Sequence, residues 1–327
     1  MIINKQKSIY YNDVNLLAAK PTVVESRSDV KIDKSRIIIS PMASVVGETF
    51  AKTATDYGFT VCLHRFCDSD KQLELYNNLT NKQNIFISLG LFDWDRVERF
   101  QSSWNANWLI DIANGTVPQL ERYLKELRDK VSIEKIMIGN VHHENTFDWI
   151  KTLVKKTVNP KETLIRVGIG GGSACSTSDM TGINRGQITE IDNCSYLVNN
   201  KTKLIADGGI SKPSFAAKAF GAGATHVMLG GYFAQCYIAE THLIGDGTYW
   251  GGASEKQQNL YGGYKKPSEG KVFEINEKIS FDKLANDLIG GLQSAISYCG
   301  YDNLDDFIGN GVFEIKANSL PPKNRYV

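Results

Sequence analysis

The chain has 327 residues, of which 42% are hydrophobic and 22% charged, so it is an ordinary globular chain with room for one large α/β barrel or two smaller domains. Its formal net charge of +1 gives no electrostatic reason to expect a nucleic-acid or membrane partner. No apolar run approaches the ~18 residues that span a bilayer, and the N-terminus lacks the apolar core of a signal peptide.

The six cysteines are scattered through the chain without C-x-x-C pairs. This usage predicts a reduced, cytoplasmic protein. Cys62 and Cys67, with His64 between them, are spaced as metal ligands could be. A second pair at suitable spacing is missing, so a metal cluster is disfavoured.

The first forty residues alternate polar and apolar residues in short pieces, which predicts an N-terminal extension lying against a larger body. Short apolar runs with flanking turn residues follow, as expected of parallel strands buried on both faces. These runs are Ile37–Ser40, Thr60–His64, Ile85–Leu89, Trp108–Ile112, Lys135–Gly139, Leu164–Ile169, Lys203–Ala206 and His226–Leu229.

Most segments between these runs have the length of a crossover helix with its two loops. Examples are Glu48–Tyr57, Trp94–Ser103, Val117–Lys130, Thr146–Lys156 and Pro213–Phe220. Eight strands alternating with helices favour an α/β fold that closes into a (β/α)8 TIM barrel, as a single domain over residues 1–327. An open doubly wound sheet is the alternative. It is disfavoured because no strand–turn–helix carries a clean G-x-G-x-x-G with an acidic residue downstream.

Three consecutive predicted strands end in glycine-rich loops. The sixth runs into G-I-G-G-G-S-A-C, which ends at Cys175, the seventh ends in Ala206–Ile210 (A-D-G-G-I), and the eighth in Met228–Gly231 (M-L-G-G). Barrels commonly bind phosphate after strands seven and eight, and a cysteine beside an anion-binding loop can form a thiolate. Tight strand-to-helix turns also favour glycine, but three such exits in a row favour a shared anion site.

A long insert over residues 245–270, which we call the flap, follows the eighth strand and is rich in Gly, Tyr and Lys. This composition predicts a mobile, irregular segment rather than a packed element. Beyond it, Phe281–Tyr298 has apolar residues at helical spacing and should be a closing helix.

A set of ordered motifs runs over nearly the whole chain. They are Y-N-D-V, E-S-R-S-D-V, D-I-A-N-G (Asp111–Gly115), I-G-N-V (Ile138–Val141), G-I-G-G-G-S-A-C-S-T, I-A-D-G-G-I, A-K-A-F-G-A-G-A-T-H-V-M-L-G-G and S-E-G-K (Ser268–Lys271). Together they resemble the family of GMP reductase and IMP dehydrogenase, and GMP reductase more closely.

This resemblance implies a reaction centre of three residues. Cys175 would attack C2 of the purine of GMP, forming a covalent thioimidate and expelling the amino group as ammonia. Thr177 and Glu269 would shuttle the proton that lets ammonia leave, and NADPH would give hydride to C2 to release IMP. Without the resemblance, Thr177 is equally well a loop hydroxyl and Glu269 a solvated flap charge.

The resemblance also implies binding residues and an assembly. The nucleotide would contact Ser173, Asp207, Gly208, Gly209, Gly230, Gly231, Gly252, Ala253, Ser254, Ser268 and Gly270. NADPH would contact Ser26, Arg27, Arg65, Asp111, Ile112, Ala113, Asn114, Asn140 and Lys266. The carbonyls of Gly170, Gly172 and Cys175 would hold a potassium ion. Relatives imply a homo-oligomer, a tetramer.

Two absences favour the reductase over the dehydrogenase. The dehydrogenase activates water with an arginine–tyrosine pair on its flap, and here no arginine lies between Arg185 and Arg325. The spacing from Leu63 to Ile85 leaves no room for the regulatory modules that the dehydrogenase usually carries. Three flap lysines, Lys256, Lys265 and Lys266, leave water activation as an alternative, and a nucleotide-binding paralogue without catalysis is another.

Several residues depart from the family pattern and leave the exact nucleotide open. The usual M-D after the first strand is Met42–Ala43, the reductase's G-P-G is Gly170–Gly172, and the flap's Y-G-M-S-S is Trp250–Ser254, W-G-G-A-S. These changes remove a carboxylate, a rigid turn and a phenol near the phosphate. A deoxy or base-modified guanine nucleotide is therefore an alternative substrate to GMP.

Overall fold

The computed structural model describes residues 7–101, 106–261 and 268–316. Its strands are β1 (Val14–Leu16), β2 (Ile37–Ile39), β3 (Thr60–Leu63), β4 (Ile85–Leu89), β5 (Asn107–Asp111), β6 (Lys135–Val141), β7 (Glu162–Val167), β8 (Thr202–Asp207), β9 (His226–Leu229), β10 (Thr248–Trp250), β11 (Val272–Glu274) and β12 (Phe313–Ile315). Its α-helices are α1 (Glu48–Tyr57), α2 (Ser69–Asn78), α3 (Trp94–Arg99), α4 (Leu120–Lys130), α5 (Glu144–Thr157), α6 (Thr177–Thr181), α7 (Gln187–Ser195), α8 (Pro213–Gly221), α9 (Glu240–Leu243), α10 (Glu255–Tyr261), α11 (Phe281–Tyr298) and α12 (Leu304–Phe307).

Strands β2 to β9 form a closed parallel barrel in sequence order, with β9 pairing back onto β2. Helices connect the strands along the chain, so the predicted (β/α)8 barrel is confirmed. The predicted strand bounds agree with the structure to within about two residues at each end. In a barrel of this kind the loops at the carboxyl ends of the strands carry the chemistry.

The barrel interior is closed by a layer of apolar side chains, one from each strand. They are Ile38, Cys62, Phe86, Leu109, Met137, Leu164, Ile205 and Met228, and none is more than 3% exposed. Cys62 is therefore a core residue, and among the described residues no group of three His, Cys, Asp or Glu side chains could hold a metal ion. The layer makes the floor of any cavity that opens at the carboxyl ends of the strands.

The second core layer lies between the barrel and its helices. Helix α11 docks there by its first residue, Phe281, whose ring stacks on Phe233 with 5.7 Å between centroids and meets Phe50 edge to face. The hydroxyl of Ser280 accepts from the amide of Lys283 and caps the helix. The helix predicted over Phe281–Tyr298 is confirmed and closes the barrel.

The N-terminal extension lies against the barrel, as predicted. Strand β1 pairs antiparallel with β12 near the other end of the chain. The buried ring of Tyr11 stacks on Phe215 of α8 at 5.2 Å, and the Lys218 ammonium donates to the Tyr11 carbonyl at 2.9 Å. These contacts fix the extension on the outside of the helical layer.

The part of the flap that the structure describes, residues 245–261 and 268–270, is more regular than the expected irregular, unpacked segment. Strand β10 pairs with β11, and α10 follows directly. Trp250 is 1% exposed, and its indole donates to the Gln257 side chain at 2.7 Å. One buried tryptophan with a paired side-chain amide anchors a segment that is otherwise rich in glycine and polar residues, and composition alone does not reveal such an anchor. Among the described helices, none is long and apolar enough to cross a membrane.

Candidate active site

Two cavities lie at opposite ends of the barrel. One, of about 550 Å³, lies at the amino ends of the strands and is lined by half-buried polar residues such as Lys34, Asn84 and Lys135. The other, of about 650 Å³, opens at the carboxyl ends of β2–β9 under the flap. This strand-end cavity brings together a cysteine, four carboxylates, an arginine and three glycine-rich loops, so it is the candidate active site.

Cys175, Thr177 and Glu269 form a hydrogen-bonded chain at the wall of the strand-end cavity. The Cys175 thiol lies 3.2 Å from the Thr177 hydroxyl, which donates to Glu269 Oε2 at 2.9 Å. The cysteine and threonine come from the loop after β7, whereas the glutamate comes from the flap, 92 residues farther along the chain than Thr177. The arrangement offers a path for a proton between a nucleophile and a carboxylate.

Backbone hydrogen bonds between the flap and the cysteine loop hold the three side chains in this arrangement. The Ser176 amide donates to the Glu269 carbonyl, and the Lys271 amide to the Ala174 carbonyl, each at 2.9 Å. The Ser268 hydroxyl holds the carbonyls of Ala253 and Gly270. The flap therefore positions its glutamate through main-chain hydrogen bonds rather than through one flexible side chain.

The loops after β7 and β8 meet through glycine. Gly208 has φ +104°, and a Cβ there would lie 3.1 Å from the Gly172 amide nitrogen. Gly209 has φ +76°, and its Cβ would lie 3.1 Å from the Gly171 carbonyl. Positive φ and close backbone approach both require glycine, so the A-D-G-G motif sets the spacing between the two loops.

Tyr249, which was not among the predicted site residues, closes the end of the cavity where Gly230 and Gly231 lie. The Tyr249 hydroxyl donates to Met42 Sδ at 3.3 Å and lies beside Ser173, Gly230 and Gly231. Burial raises the pKa of Tyr249, with the nearby Ser173 hydroxyl opposing the shift, so the phenol stays neutral and can donate. Trp250 stands where the family pattern has a tyrosine, and the preceding residue, Tyr249, supplies a phenol in its place.

An ion network crosses the floor of the cavity around Arg166. Its Nε donates to Asp207 Oδ2 at 2.9 Å and one terminal nitrogen donates to Asp111 Oδ1 at 2.8 Å. Asn140 donates to the same Asp207 oxygen at 2.7 Å. Burial alone would lower the pKa of Arg166, but the charges of Asp207 and Asp111 outweigh burial and raise it. Arg166 therefore stays charged and holds both carboxylates in place.

The loop after β3 carries a cation and an aromatic ring to the cavity. Arg65 Nε lies 3.6 Å from Asp111 Oδ2, and its guanidinium stands 4.9 Å from the centre of the Phe66 ring, which lines the cavity. Burial, with the charges of Lys71 and Arg96, lowers the pKa of His64 to about 4. Arg65 rather than His64 therefore supplies positive charge here at neutral pH.

Not every sequence-predicted residue reaches the strand-end cavity. The Asn114 side chain accepts from Thr116 in its own loop, and the buried Ser254 hydroxyl accepts from the Gln257 amide. Arg27 donates to Ser294 on α11, and Ser26 bonds Ser28. Ile112 packs on the core, with its carbonyl accepting from Asn140, and Lys266 lies outside the described residues.

Fourteen of the predicted residues line the cavity directly. They are Asp111, Ala113, Gly172, Ser173, Cys175, Thr177, Asp207, Gly208, Gly209, Gly230, Gly231, Gly252, Ala253 and Glu269. Arg65 and Asn140 contact the lining carboxylates Asp111 and Asp207, and Ser268 and Gly270 lie in the flap on either side of Glu269. Gly170 lies in the same loop as Gly172, whose carbonyl accepts from the Cys175 amide at 3.0 Å. The Gly172 carbonyl, one of the three predicted to bind potassium, is thus engaged in this turn. Potassium binding stays a prediction.

Sequence reasoning missed Arg166 and Tyr249 as site residues. Arg166 had a usable signal, because a lone charge in the apolar run L-I-R-V must find buried partners. Tyr249 had none, since only the pairing of β10 with β11 turns it toward the glycine loops.

Comparisons with known proteins agree with this geometry. A family model described as the IMP dehydrogenase / GMP reductase domain matches residues 8–320. GMP reductase 2 of Bos taurus is 28% identical over 91% of this chain and 91% of its own length. GMP reductase 1 of Homo sapiens is 27% identical over 95% and 96%, and GMP reductase of Klebsiella pneumoniae is 26% identical over 96% of each.

Proposed function

The chain belongs to the IMP dehydrogenase / GMP reductase family, and on that premise we propose that it catalyses the NADPH-dependent reductive deamination of GMP to IMP. The observation that carries the proposal is the chain of hydrogen bonds from Cys175 through Thr177 to Glu269. Several relatives over nearly the full length bear the name GMP reductase, and both names in the family denote oxidoreductases.

The hydrogen-bonded chain supplies the proton movements of the first half-reaction. The Cys175 sulfur forms a bond to purine C2 while its proton passes through Thr177 to Glu269. The same path returns that proton to the 2-amino group, the C2–N bond breaks, and ammonia leaves a thioimidate. Atoms balance without an external acid, because the thiol proton becomes the third hydrogen of ammonia.

The nucleotide fits the cavity with its phosphate at the glycine end. Backbone amides of Gly230 and Gly231, with the hydroxyls of Ser173 and Tyr249, form a neutral, donor-rich pocket that suits a phosphate. Asp207, next to Gly208, would accept from the sugar. This orientation leaves the base toward Cys175.

The cofactor fits the side of the cavity where Arg65 and Asp111 lie. Ala113 leaves open space there, Asn140 stands beside Asp207, and the Arg65 guanidinium suits phosphate. When bound, NADPH supplies the hydride that replaces the amino group at C2. The bond from Cys175 to C2 then breaks, which regenerates the thiolate and releases IMP. Ser26 and Arg27 lie against α11 and stay cofactor contacts by resemblance alone.

Oxidation of IMP by the dehydrogenase route is the second candidate, and the flap argues against it. Hydrolysis of the thioimidate needs a base that activates water. The Lys256 ammonium donates to the Gly245 carbonyl and the Thr248 hydroxyl and lies over the Trp250 ring, so it is engaged within the flap. Lys265 and Lys266 lie outside the described residues.

The decisive experiment follows NADPH absorbance and ammonia together with GMP as substrate. We expect one ammonia for each NADPH oxidised. Cys175→Ala should abolish both signals while retaining GMP binding, whereas Cys299→Ala, a buried thiol against the Leu17 carbonyl, serves as the matched control with activity retained. Turnover by Cys175→Ala would refute the mechanism. Binding of GMP by the native chain without turnover would indicate a silent paralogue, and NADH formation from IMP and NAD would indicate the dehydrogenase.

Two further parts of the proposal come from resemblance. A potassium requirement would appear as lower activity when potassium is replaced by a large organic cation at equal ionic strength. A tetramer would appear as four chain masses in light scattering. Neither result bears on the role of Cys175.

A further inference from the structure

Helix α7 begins without a side-chain cap of its own. Gly186 stands at its N-cap, although the first amides of a helix need hydrogen-bond partners from outside it. The chain segment Lys7–Ile9, which we call the N-terminal segment, supplies them. The Gly186 amide donates to the Ser8 hydroxyl at 2.5 Å, and the Ile188 amide donates to the Ile9 carbonyl at 3.0 Å. The N-terminal segment therefore caps a helix that lies 178 residues farther along the chain than Ser8.

The N-terminal segment crosses directly over the start of α7. Thr189 Oγ1 accepts from the Ile9 amide at 2.9 Å and donates to the Lys7 carbonyl at 3.2 Å. A Cβ at Gly186 would lie 2.3 Å from the Ile9 carbonyl oxygen, so a side chain there would push the segment away. The φ of Gly186 is −65°, which any residue adopts. Glycine is therefore required at this position by the crossing and not by the turn.

The first residue of α7, Gln187, connects this cap to the candidate active site. Its side chain is buried and contacts two glycine-rich loops. A Cβ at Gly171 would lie 2.2 Å from Gln187 Nε2, and a Cβ at Gly209 would lie 3.5 Å from the same atom. Gly171 belongs to the loop that carries Cys175, Gly209 belongs to the loop after β8, and both line the cavity. The first turn of α7 therefore supports both loops through one side chain.

From these contacts, and resting on the proposed function, we infer that the N-terminal segment positions the reaction centre, with Gln187 as the positioning residue between them. The segment itself does not line the cavity. It fixes the first turn of α7, and Gln187 then fixes the loops that carry Cys175 and border the proposed phosphate pocket. Loss of the cap should lower the catalytic efficiency with GMP. The KM for NADPH should not change, because its proposed contacts in the cavity follow β3, β5 and β6.

Gly186→Ala tests this inference, because the added Cβ displaces the N-terminal segment. A misplacement of about 1 Å far from the chemistry can cost about 100-fold in rate, so we expect kcat/KM for GMP to fall about 10- to 100-fold. Gly290→Ala is the matched control, since Gly290 lies on α11 with no atom within 4 Å of the added Cβ, and it should keep native kinetics. Thermal melting shows whether each variant is folded. A folded Gly186→Ala with kcat/KM for GMP within about threefold of the native chain, or with an equal loss for NADPH, overturns the inference.

Ile9→Pro disrupts the cap from the other side and carries the test should Gly186→Ala not fold. The proline removes the amide that donates to Thr189, and we expect a fall in kcat/KM for GMP of at least about tenfold. Combining Ile9→Pro with Gln187→Ala tests the route. The two losses should not multiply, because both changes act through the same contact, whereas independent changes are additive in free energy. Native kinetics in Ile9→Pro, or losses that multiply in the double variant, overturns the inference.

Binding measurements distinguish this inference from the proposed function. Calorimetry with GMP on the Cys175→Ala protein, with and without Gly186→Ala, reports the loops in the absence of chemistry. We expect Gly186→Ala to raise the Kd of GMP at least about threefold, because Gly209 borders the proposed phosphate pocket. This weaker binding, together with no turnover of GMP by the native chain, would remove the proposed function and keep the inference. Turnover by the native chain with unaltered kinetics in Gly186→Ala would do the reverse.

Discussion

Replacing Arg96 by methionine should weaken cofactor binding and leave nucleotide binding unchanged. Arg96 lies on α3, is 6% exposed, and donates to the backbone carbonyls of Arg65 at 3.1 Å and Cys67 at 2.7 Å. It also bonds the side chains of Asp93 and Gln72, each at 2.9 Å. Arg96 therefore fixes the loop that presents Arg65 to Asp111 without itself reaching the cavity.

The magnitude follows from the two loop carbonyls. A hydrogen bond to a charged donor contributes about 1.5–3 kcal/mol, and losing the smaller value alone corresponds to roughly tenfold in a dissociation constant. We therefore expect the Kd of NADPH to rise at least tenfold in Arg96→Met. The free energy of unfolding should fall by about 1–3 kcal/mol, because the Gln72 carbonyl oxygen loses its donor in a buried place, whereas Asp93 is 28% exposed and can be hydrated.

Fluorescence titration with NADPH and steady-state KM values for both substrates measure the effect, with thermal melting to confirm that the variant is folded. Arg128→Met is the matched control, since Arg128 also donates to a backbone carbonyl, that of Thr157 at the end of α5, at 2.9 Å, at the end of the barrel away from the cavity. Arg96→Lys keeps the charge and should give an intermediate NADPH affinity. A folded Arg96→Met with NADPH affinity within threefold of the native chain, or with GMP affinity lowered equally, would refute the reasoning.

Thr177→Val should lower kcat by about 10²- to 10⁴-fold, the usual contribution of a positioned proton carrier, whereas Thr177→Ser should keep most of the activity. The rate of ammonia release measures both variants, and an equal loss of activity in the two would count against the relay. Tyr249→Phe should raise the KM for GMP about 10- to 100-fold through loss of one hydrogen bond to a charged group, with the KM for NADPH unchanged, and an unaltered GMP KM would place the phosphate elsewhere. Burial raises the pKa of Glu190 to about 9 in the folded chain, whereas the unfolded chain releases this proton near the ordinary pKa of a glutamate. As pH rises from the unfolded to the folded pKa, the free energy of unfolding therefore falls by up to about 1.4 kcal/mol per pH unit. Urea unfolding from pH 5 to 8.5 should therefore show Glu190→Gln gaining on the native chain as pH rises, and a difference independent of pH would contradict this.

The barrel could be predicted from the sequence because its strands are buried on both faces. Such strands read as continuous apolar runs, and Ile85–Leu89 and His226–Leu229 were predicted with the bounds that the structure has. Helices α2 and α7 were predicted only by the alternation of strands and helices, without bounds of their own, and both are polar outside their buried faces. The order of the flap was also missed, because it depends on pairing between β10 and β11 rather than on local composition.

The residues of the candidate site also differ in how far local sequence predicts them. Cysteine and glycine-rich strand ends stand out in one dimension, and Cys175 and the A-D-G-G turn that contains Asp207 were found that way, whereas Asp111 was named through the family resemblance. Contacts between distant segments do not stand out. The approach of Glu269 to Thr177, and of Tyr249 to Ser173, is set by the path of the flap over the barrel, which no local pattern encodes.

Two departures from the family pattern are compensated by neighbours in space. Gly171 replaces the expected proline, which predicts a looser turn, yet a Cβ at Gly171 would lie 2.2 Å from the Gln187 side-chain amide. The buried Gln187 at the start of α7 thus occupies the volume that a proline ring would need and supports the turn from outside. Likewise the phenol absent from Trp250 is supplied by Tyr249, while the indole is anchored on Gln257. Paired residues of this kind can hold the loop around Cys175 in place although its residues depart from the family pattern.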